Sequence, residues 1–536
     1  MFCRVTSEYR WRTASQAKIQ NSEVSSTYPE HPVSINLGGR FSSPEIQRHH
    51  FSVTLLTVVG LVLYLNGLGI PALVRWDGAI YASAARFALQ DGHWIIPHVY
   101  WRGQPHLWQP FLDKPPLVYW LQALSIGVFG VTSFAAKLPS ALATVALAVL
   151  VYLIGTDRYD EFAGLAAGFL LLGLPPAFFI SHGGRTAATD MPLALFGTAF
   201  VWCVWKGREN GRYLLWAGVF GALAVLAKGV AASVFLVIAI PIVLVGWRDY
   251  PPRKLAGGVL VGLVVTLPWF VAAAVLRGDA LYSQMIADQV IRRATGAKST
   301  SGGPATLIPR SNYPFFRRFP IYYRLTRYLV LGAAGALALS LPARRGGWKA
   351  DAVLLWWLFA VPFVYSFAGG NHKWYLLPSI VPAALIVGRV GSATVGVFND
   401  TVRPRLSGRS PINYQVFVVL TLVGLTALVA IPGHYPPSGG DPIGSYNTEQ
   451  RAIGNAFANL AEPGETVYVD DEIRANLIVF SYQVDRQLEG VDTEGLNGDE
   501  DVRLALVAND RLPDLRRDYQ IVGKVPTADA TAIRFT

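Results

Sequence analysis

Apolar stretches of about 20 residues, the length that crosses a bilayer as a helix, recur along this chain from residue 51 to residue 432. The first covers 51–70. The others are read at about 134–156, 160–181, 190–206, 212–227, 230–247, 256–276, 328–342, 351–367, 374–390 and 414–432. Between the first two lies 71–133, which is rich in polar residues. Within it, 78–90 has helical spacing, with Ile80, Ala84 and Phe87 on one face and Asp91-Gly92 as the stop. That pattern predicts a short helix lying on the membrane surface. Residues 116–130 are too short and broken for a clear span, and predict a second interfacial helix or a partial re-entry. Trp76, Trp94, Trp101, Trp108 and Trp120 punctuate the same stretch, as expected where protein meets a membrane–water interface.

Beyond residue 432 the pattern changes. GETVYVDD, VRLALVA and YQIVGKV read as strands, and 448–461 and 473–482 as helices. Residues 1–50 carry no apolar core and predict a disordered arm, with no apolar segment near Met1 to suggest a signal peptide. The expected fold is a polytopic α-helical membrane protein of about 11 to 13 transmembrane helices. It carries interfacial helices in its first outward loop and a small C-terminal α/β domain over 433–536.

Composition agrees. The 536 residues are 52% hydrophobic and 15% charged, whereas soluble domains carry about 25% charge. The net charge of +11 hides a division, because roughly half of the Asp and Glu lie in 433–536. The rest is strongly basic, which beside membrane helices points to orientation and lipid headgroups rather than nucleic acid. Two cysteines, Cys3 and Cys203, suggest no disulfide framework.

Charge also orients the spans. With the N-terminal arm inside the cell and each span reversing direction, the inward connections hold Arg158, then Lys206, Arg208 and Arg212, then Arg248, Arg253 and Lys254, then Arg344, Arg345 and Lys349, then Arg389 to Arg409. This follows the positive-inside bias. It also gathers Asp77, Asp113, Lys114, Arg185, Asp190, Lys228 and Lys373 on the outer face. The alternation requires that 116–130 not be a full span. The long outward connection 277–327 is basic, with Arg292, Arg293, Lys298, Arg310, Arg317, Arg318, Arg324 and Arg327. It reads either as a tolerated charge bias or as a mobile lid for phosphate.

Each of these polar residues has a plain reading beside a chemical one. Asp77 can cap the helix that follows it, serve as a general base, or hold a divalent cation weakly as a lone carboxylate. Asp113-Lys114 before a double proline can be a rigid turn, or a lysine on phosphate oriented by its neighbour. Asp190 can cap its span, and Arg185, Lys228 and Lys373 can snorkel to headgroups. Together, cations and carboxylates on one face suit an anionic substrate with an acceptor beside it. No Gly-rich nucleotide motif, HExxH or CxxC pair is present.

RWDGAIYASAARFAL, followed by LDKPPLVYWLQALSIGVFGVTSFAAKLPSAL, resembles the first extracytoplasmic loop of the ArnT-like and protein O-mannosyltransferase families, which are multi-spanning GT-C glycosyltransferases. RTAATDMPLALF is similar to their next signature, and LAKGVAA and HKWYLLPSIVPAALI to two later ones. The phrases keep the family's order over about residues 51–390; the arm and the tail lie outside it.

The resemblance implies a sugar donor linked to a polyprenyl or dolichyl monophosphate, presented at the outer leaflet. Transfer with inversion would go to a protein, lipid or glycan acceptor. It implies Asp77 as catalytic base, Asp190 and Asp113 as further acidic site residues, and Lys114, Arg185, Lys228 and Lys373 around the donor phosphate. Two departures stand out. Gly78 replaces the acid that usually follows the aspartate, which removes a carboxylate from any metal site, and the segment from Trp94 to Asp113 is longer than usual. No cofactor is required by this reading, and a divalent metal is left open. The competing class is a flippase or transporter, which places its charges near the bilayer midplane rather than at helix ends.

Overall fold

The computed structural model describes residues 44–69, 73, 77–100, 108–178, 182–292, 324–341, 348–366, 372–401, 460–462, 465–470, 488–525 and 530–536. Most of the expected N-terminal arm, the last expected span at 414–432 and nearly all of the helices expected around 448–461 and 473–482 lie outside the described residues. His49–Thr536 forms one compact unit.

The membrane part is helical, as the apolar runs require. Its elements are α1 (Pro44–Leu65), α2 (Asp77–Asp91), α3 (Leu117–Phe129), α4 (Ser133–Arg158), α5 (Glu161–Gly173), α6 (Pro175–Phe178), α7 (Asp190–Lys206), α8 (Tyr213–Lys228), α9 (Ser233–Val245) and α10 (Pro252–Ala280). After these come α11 (Arg324–Ser340), α12 (Trp348–Ser366) and α13 (Ile380–Thr401), the last preceded by a 3-10 helix, Lys373–Ser379. Six helical stretches among the described residues are long and apolar enough to cross a bilayer. One of them, Tyr213–Val245, doubles back. Gly229 takes φ +61° at the turn, and Gly211 at one end and Gly246 at the other approach Pro251 and Arg208 respectively.

Both ends of 71–133 lie at the same end of the bundle. Lys137 Nζ donates to the Leu68 carbonyl at 3.3 Å, and a Cβ on Gly69 would sit 3.3 Å from that of Phe134. The chain therefore leaves and re-enters on one side, and α3 is not an unpaired crossing. At the opposite end, Arg158 meets Glu209 at 2.9 Å and Lys206 meets Asp157 at 2.9 Å. There too, Arg208 meets Asp249 at 2.6 Å and the Tyr159 hydroxyl donates to Asp351 at 2.9 Å. The charges that oriented the spans thus share an end.

Glycines bring the helices close. A Cβ on Gly218 of α8 would collide with the Gly258 carbonyl oxygen of α10, and one on Gly155 of α4 would lie 2.6 Å from Gly164 Cα of α5. In lipid, where apolar burial gives little drive between helices, such close backbone approach supplies the packing.

Two expectations change. The helix at 78–90 does not lie with one face on a surface: Gly78 to Ala88 are all buried. Around it the first loop builds its own core, in which Ile80, Ala84, Val99, Phe111, Tyr119 and Ala123 take part. A two-stranded antiparallel ribbon, β1 (His98–Tyr100) with β2 (Trp108–Pro110), closes one side. The alanine-rich sequence misled the surface reading, since small residues let a helix be enclosed all round. Secondly, the start of 277–327 is helical. After a non-helical residue at Arg277, α10 runs on into a π-helical segment, Leu281–Ile291; 293–323 lie outside the described residues.

The C-terminal part is a mixed sheet of β3 (Val467–Asp470), β4 (Leu488–Val491), β5 (Leu504–Ala508), β6 (Tyr519–Val525) and β7 (Ala530–Phe535), in the order β4-β3-β5-β7-β6. β3 pairs parallel with β4 and β5, and β7 pairs antiparallel with β5 and β6. The three expected strands are present, and β4 and β7 are additional. Phe87 of α2 is buried among Val467, Val469, Leu504 and Leu506. That contact, contributing about 2 kcal/mol, couples the first loop to the sheet.

A Gly218→Val substitution is expected to force α8 from α10 and to destabilise by about 1–3 kcal/mol. Gly335→Ala, with nothing within 4 Å, is expected to leave the melting temperature in detergent unchanged. Thermal unfolding of the two purified variants checks this.

Candidate active site

Four elements meet at the end of the bundle that carries the first loop. Asp77 opens α2, where a negative charge suits the helix N-terminus. Its side chain is 42% exposed, and its carboxylate accepts from the Tyr81 hydroxyl one turn on, at 3.3 Å. Asp190 opens α7 but is buried. Its carboxylate lies 2.7 Å from His182 Nδ1 and 2.5 Å from Lys228 Nζ. Lys228 comes from the last turn of α8, where the positive charge also matches the helix dipole. His182 completes the row, with Nε2 3.6 Å from Asp77 Oδ2. The order is Asp77, His182, Asp190, Lys228.

His182 is held hard. Its backbone has φ +81°, the only non-glycine residue with positive φ among those described. Such backbones concentrate at functional sites. The turn behind it is tied down by the Thr186 hydroxyl and the Thr186 N–H, both donating to the Gly183 carbonyl. Gln122 of α3 adds a bond to the Ala187 carbonyl. Trp374, from the 3-10 helix, stacks on the His182 ring at 4.2 Å and 10°. Trp374 also stacks on His372, at 4.4 Å and 7°.

Asp113 and Lys114 sit on a neighbouring wall. Lys114 Nζ donates to Gln289 Oε1 at 2.9 Å, and Gln289 Nε2 donates to Asp113 Oδ2 at 3.1 Å. Gln284 braces the same strand end, accepting from the Leu112 N–H at 2.8 Å and donating to the Pro110 carbonyl at 2.9 Å. Both glutamines belong to the π-helical segment, a rare geometry that is frequent at functional sites. Beneath them Ile96, Leu112, Leu226, Trp269 and Met285 form one apolar cluster. Pro115 lies 3.4 Å from where a Cβ of Gly229 would be, so the Asp113-Lys114 turn abuts the residue that follows Lys228.

The remaining expected residues separate. Arg185 donates to the carbonyls of Leu63 and Asn66, both at 2.8 Å, and lies over the Phe178 ring. It satisfies carbonyls at the end of α1 that the helix leaves without partners. Burial lowers its pKa, and an arginine stays charged regardless. Lys373 begins the 3-10 helix; its side chain lies outside the described residues. His182, Trp374, Gln284 and Gln289 were not picked out from sequence. For His182 the one signal was its place three residues before Arg185, in a phrase already marked by charge.

The donor set does not suit a divalent ion. Asp190 is occupied by the Lys228 ammonium, Gly78 contributes no carboxylate, and no group of three or more metal-binding side chains stands ready among the described residues.

Residues 113–271 match the family profile for dolichyl-phosphate-mannose-protein mannosyltransferase. The crystal structure of ArnT from Cupriavidus metallidurans bound to undecaprenyl phosphate superposes with a TM-score of 0.65 at 17% identity, covering 90% of this chain and 97% of that one. The chain has an ArnT-like fold. The archaeal oligosaccharyltransferase AglB from Archaeoglobus fulgidus shares it more distantly, with a TM-score of 0.51 at 12% identity over 88% of this chain and 70% of that one. Among curated relatives, the undecaprenyl phosphate-alpha-4-amino-4-deoxy-L-arabinose arabinosyl transferase 2 of Proteus mirabilis is 28% identical over 355 residues, 63% of this chain. The match spans 59% of that relative's length. The corresponding protein of Pseudomonas savastanoi is 26% identical over 73% of this chain and 69% of its own length. The fold and these relatives identify a multi-pass membrane protein.

Within this ArnT-like frame the Asp190–Lys228 pair is expected to behave as a unit. Asp190→Leu leaves a buried ammonium without its carboxylate, and Lys228→Met the reverse. Each single change is expected to cost about 3–5 kcal/mol. The double variant Asp190→Leu/Lys228→Met is expected to cost less than either. Thermal melts of the three proteins in detergent check this ordering.

Proposed function

We propose that this protein is a glycosyltransferase that moves a sugar from a polyprenyl-phosphate carrier to an acceptor hydroxyl or amine, with inversion at the anomeric carbon. The observation that carries the reading is the half-exposed Asp77 carboxylate facing the same end of the bundle as the Lys114 and Lys228 ammoniums. The relatives' names share a lipid-phosphate sugar donor, which supports the same class. Positive-inside charge supports an extracytoplasmic site, with the C-terminal sheet on that side and the N-terminal arm in the cytoplasm.

The chemistry follows from the charges. The acceptor attacks the anomeric carbon as the bond from that carbon to the phosphate oxygen breaks. Negative charge grows on the leaving phosphate, and a lysine fixed beforehand stabilises it without reorganising. Lys114 is placed for this by Gln289. Lys228 faces Asp190 and contributes chiefly by holding that carboxylate. Asp77 is the carboxylate open to a substrate, and it takes the acceptor's proton. Asp190, enclosed between His182 and Lys228, orients rather than reacts. Lys114 and the Asp113 turn supply proximity by clamping the carrier end.

A transfer assay tests this. Purified protein in nanodiscs is given a panel of radiolabelled polyprenyl-phosphate sugars, with membrane extract as acceptor, with and without chelator. Asp77→Asn is expected to lower transfer by about 10²- to 10⁴-fold while its melting temperature stays at the wild-type value. Lys114→Gln is expected to lower the rate as well, with the larger loss at low donor concentration. Normal transfer by folded Asp77→Asn would overturn the assignment of the base. Movement of labelled lipid between leaflets without incorporation would replace transferase by transporter.

A further inference from the structure

We infer that His182 is a positioning residue that acts through Asp77 as its proton relay. The inference rests on the transferase reading above. Three observations on this one ring carry it.

The first is the tautomer. Asp190 lies 2.7 Å from Nδ1, and the Lys228 ammonium at 2.5 Å keeps that carboxylate ionised. An ionised carboxylate at hydrogen-bond distance only accepts, so Nδ1 carries the proton and donates. In the neutral ring, Nε2 then has the lone pair, and Nε2 is the atom that faces Asp77 at 3.6 Å. The second is rigidity. Stacking on Trp374 and the fixed turn at φ +81° leave the ring one orientation. That backbone is uncommon for a residue other than glycine, and such backbones concentrate at functional sites. The third is the difference between the two carboxylates. Asp77 is 42% exposed, whereas the side chains of His182 and Asp190 are 6% and 5% exposed. One end of the row meets substrate and the other is sealed.

The proton inventory closes. The acceptor loses its proton to Asp77 as the new bond to the anomeric carbon forms and the phosphate leaves with the bonding electrons. The carboxylic acid so formed passes that proton to Nε2, and the imidazolium is stabilised by Asp190 through Nδ1–H. Asp77 is thereby ionised again while the products depart, and the proton returns through it to water. At 3.6 Å Asp77 Oδ2 lies beyond hydrogen-bond distance of Nε2. A rotation of the Asp77 side chain closes it, in keeping with the loose contacts of sites without substrate. Among the described residues, the charged and titratable groups around the ring are Asp77 and Tyr81 on α2, Asp190 on α7, Lys228 on α8, and His372 beyond Trp374.

The test has two arms. The first needs no turnover. Nitrogen-15 spectra of histidine-labelled full-length protein in nanodiscs, assigned with His182→Asn, are expected to show the Nδ1–H tautomer. The same tautomer is expected to persist in Asp77→Asn, because Asp190 and not Asp77 fixes the proton on Nδ1. An Nε2–H neutral tautomer overturns the relay whatever the activity. The second arm uses undecaprenyl-phosphate-linked 4-amino-4-deoxy-L-arabinose and membrane extract. His182→Gly suits the backbone conformation and empties the space beside Trp374. Its turnover is expected to fall about 10²-fold with an unchanged donor KM, and imidazole in the buffer is expected to restore at least part of it. His182→Asn keeps a donor for Asp190 but lacks Nε2, and is expected to fold as wild type yet stay slow. Wild-type turnover by His182→Asn would reduce His182 to a structural prop. No turnover by wild type would count against the transferase reading for this donor, and the first arm would still decide the relay.

Discussion

A buried ammonium–carboxylate contact holds the site together. Asp190 begins one membrane helix and Lys228 ends the next, and both are buried. Removing two charges from water is costly, and their attraction offsets it only when the geometry is good and the remaining groups are bonded. Here the second polar contact of Asp190 is His182, so the pair also fixes a histidine. The pairing sets the register of α7 against α8 at one end of the bundle, where glycine turns and short connections converge. This contact is better understood as a source of specificity than of net stability.

From that anchor the site extends in two directions. One runs through His182 to Asp77 and ties the first loop to the bundle. The other runs through Gly229 to Pro115, and so to Lys114 and the two glutamines of the π-helical segment. The first loop is accordingly a packed element with its own core, joined to the C-terminal sheet by Phe87. Its length is what gives it that core and the wall that carries Asp113 and Lys114.

Much of this was legible beforehand because helices in a bilayer must satisfy their backbone internally, which makes apolar runs dependable. The spans at 134–156, 190–206, 212–227 and 230–247 each coincide with a helix in the structure to within a few residues. The charged ends sorted Arg158, Lys206 and Arg208 from Asp190 and Lys228 correctly, since a charge at a helix end has few places to go. Less legible was α2. Its alanines carry a weak periodic signal, so an all-round buried helix and a surface helix look alike. The π-helical segment, LYSQMIADQVI, is of modest hydropathy, so on sequence alone it is indistinguishable from loop. For Arg185 the charge was visible, but its commitment to the carbonyls ending α1 depends on a neighbour more than a hundred residues away.

The amino-acid sequence alone determined the class of molecule: which segments are apolar enough to cross a membrane, which charges lie at their ends, and which short phrases resemble a glycosyltransferase family. Those properties are local, because hydropathy and charge act wherever the residue is. Only the tertiary structure decided the partners. That Asp190 is buried against Lys228 while Asp77 is half exposed, that a histidine stands between them, and that two glutamines hold Lys114 in place, all depend on contacts between segments far apart in the chain. The burial of a group, and with it the strength of every charge interaction it makes, is a property of its surroundings in space.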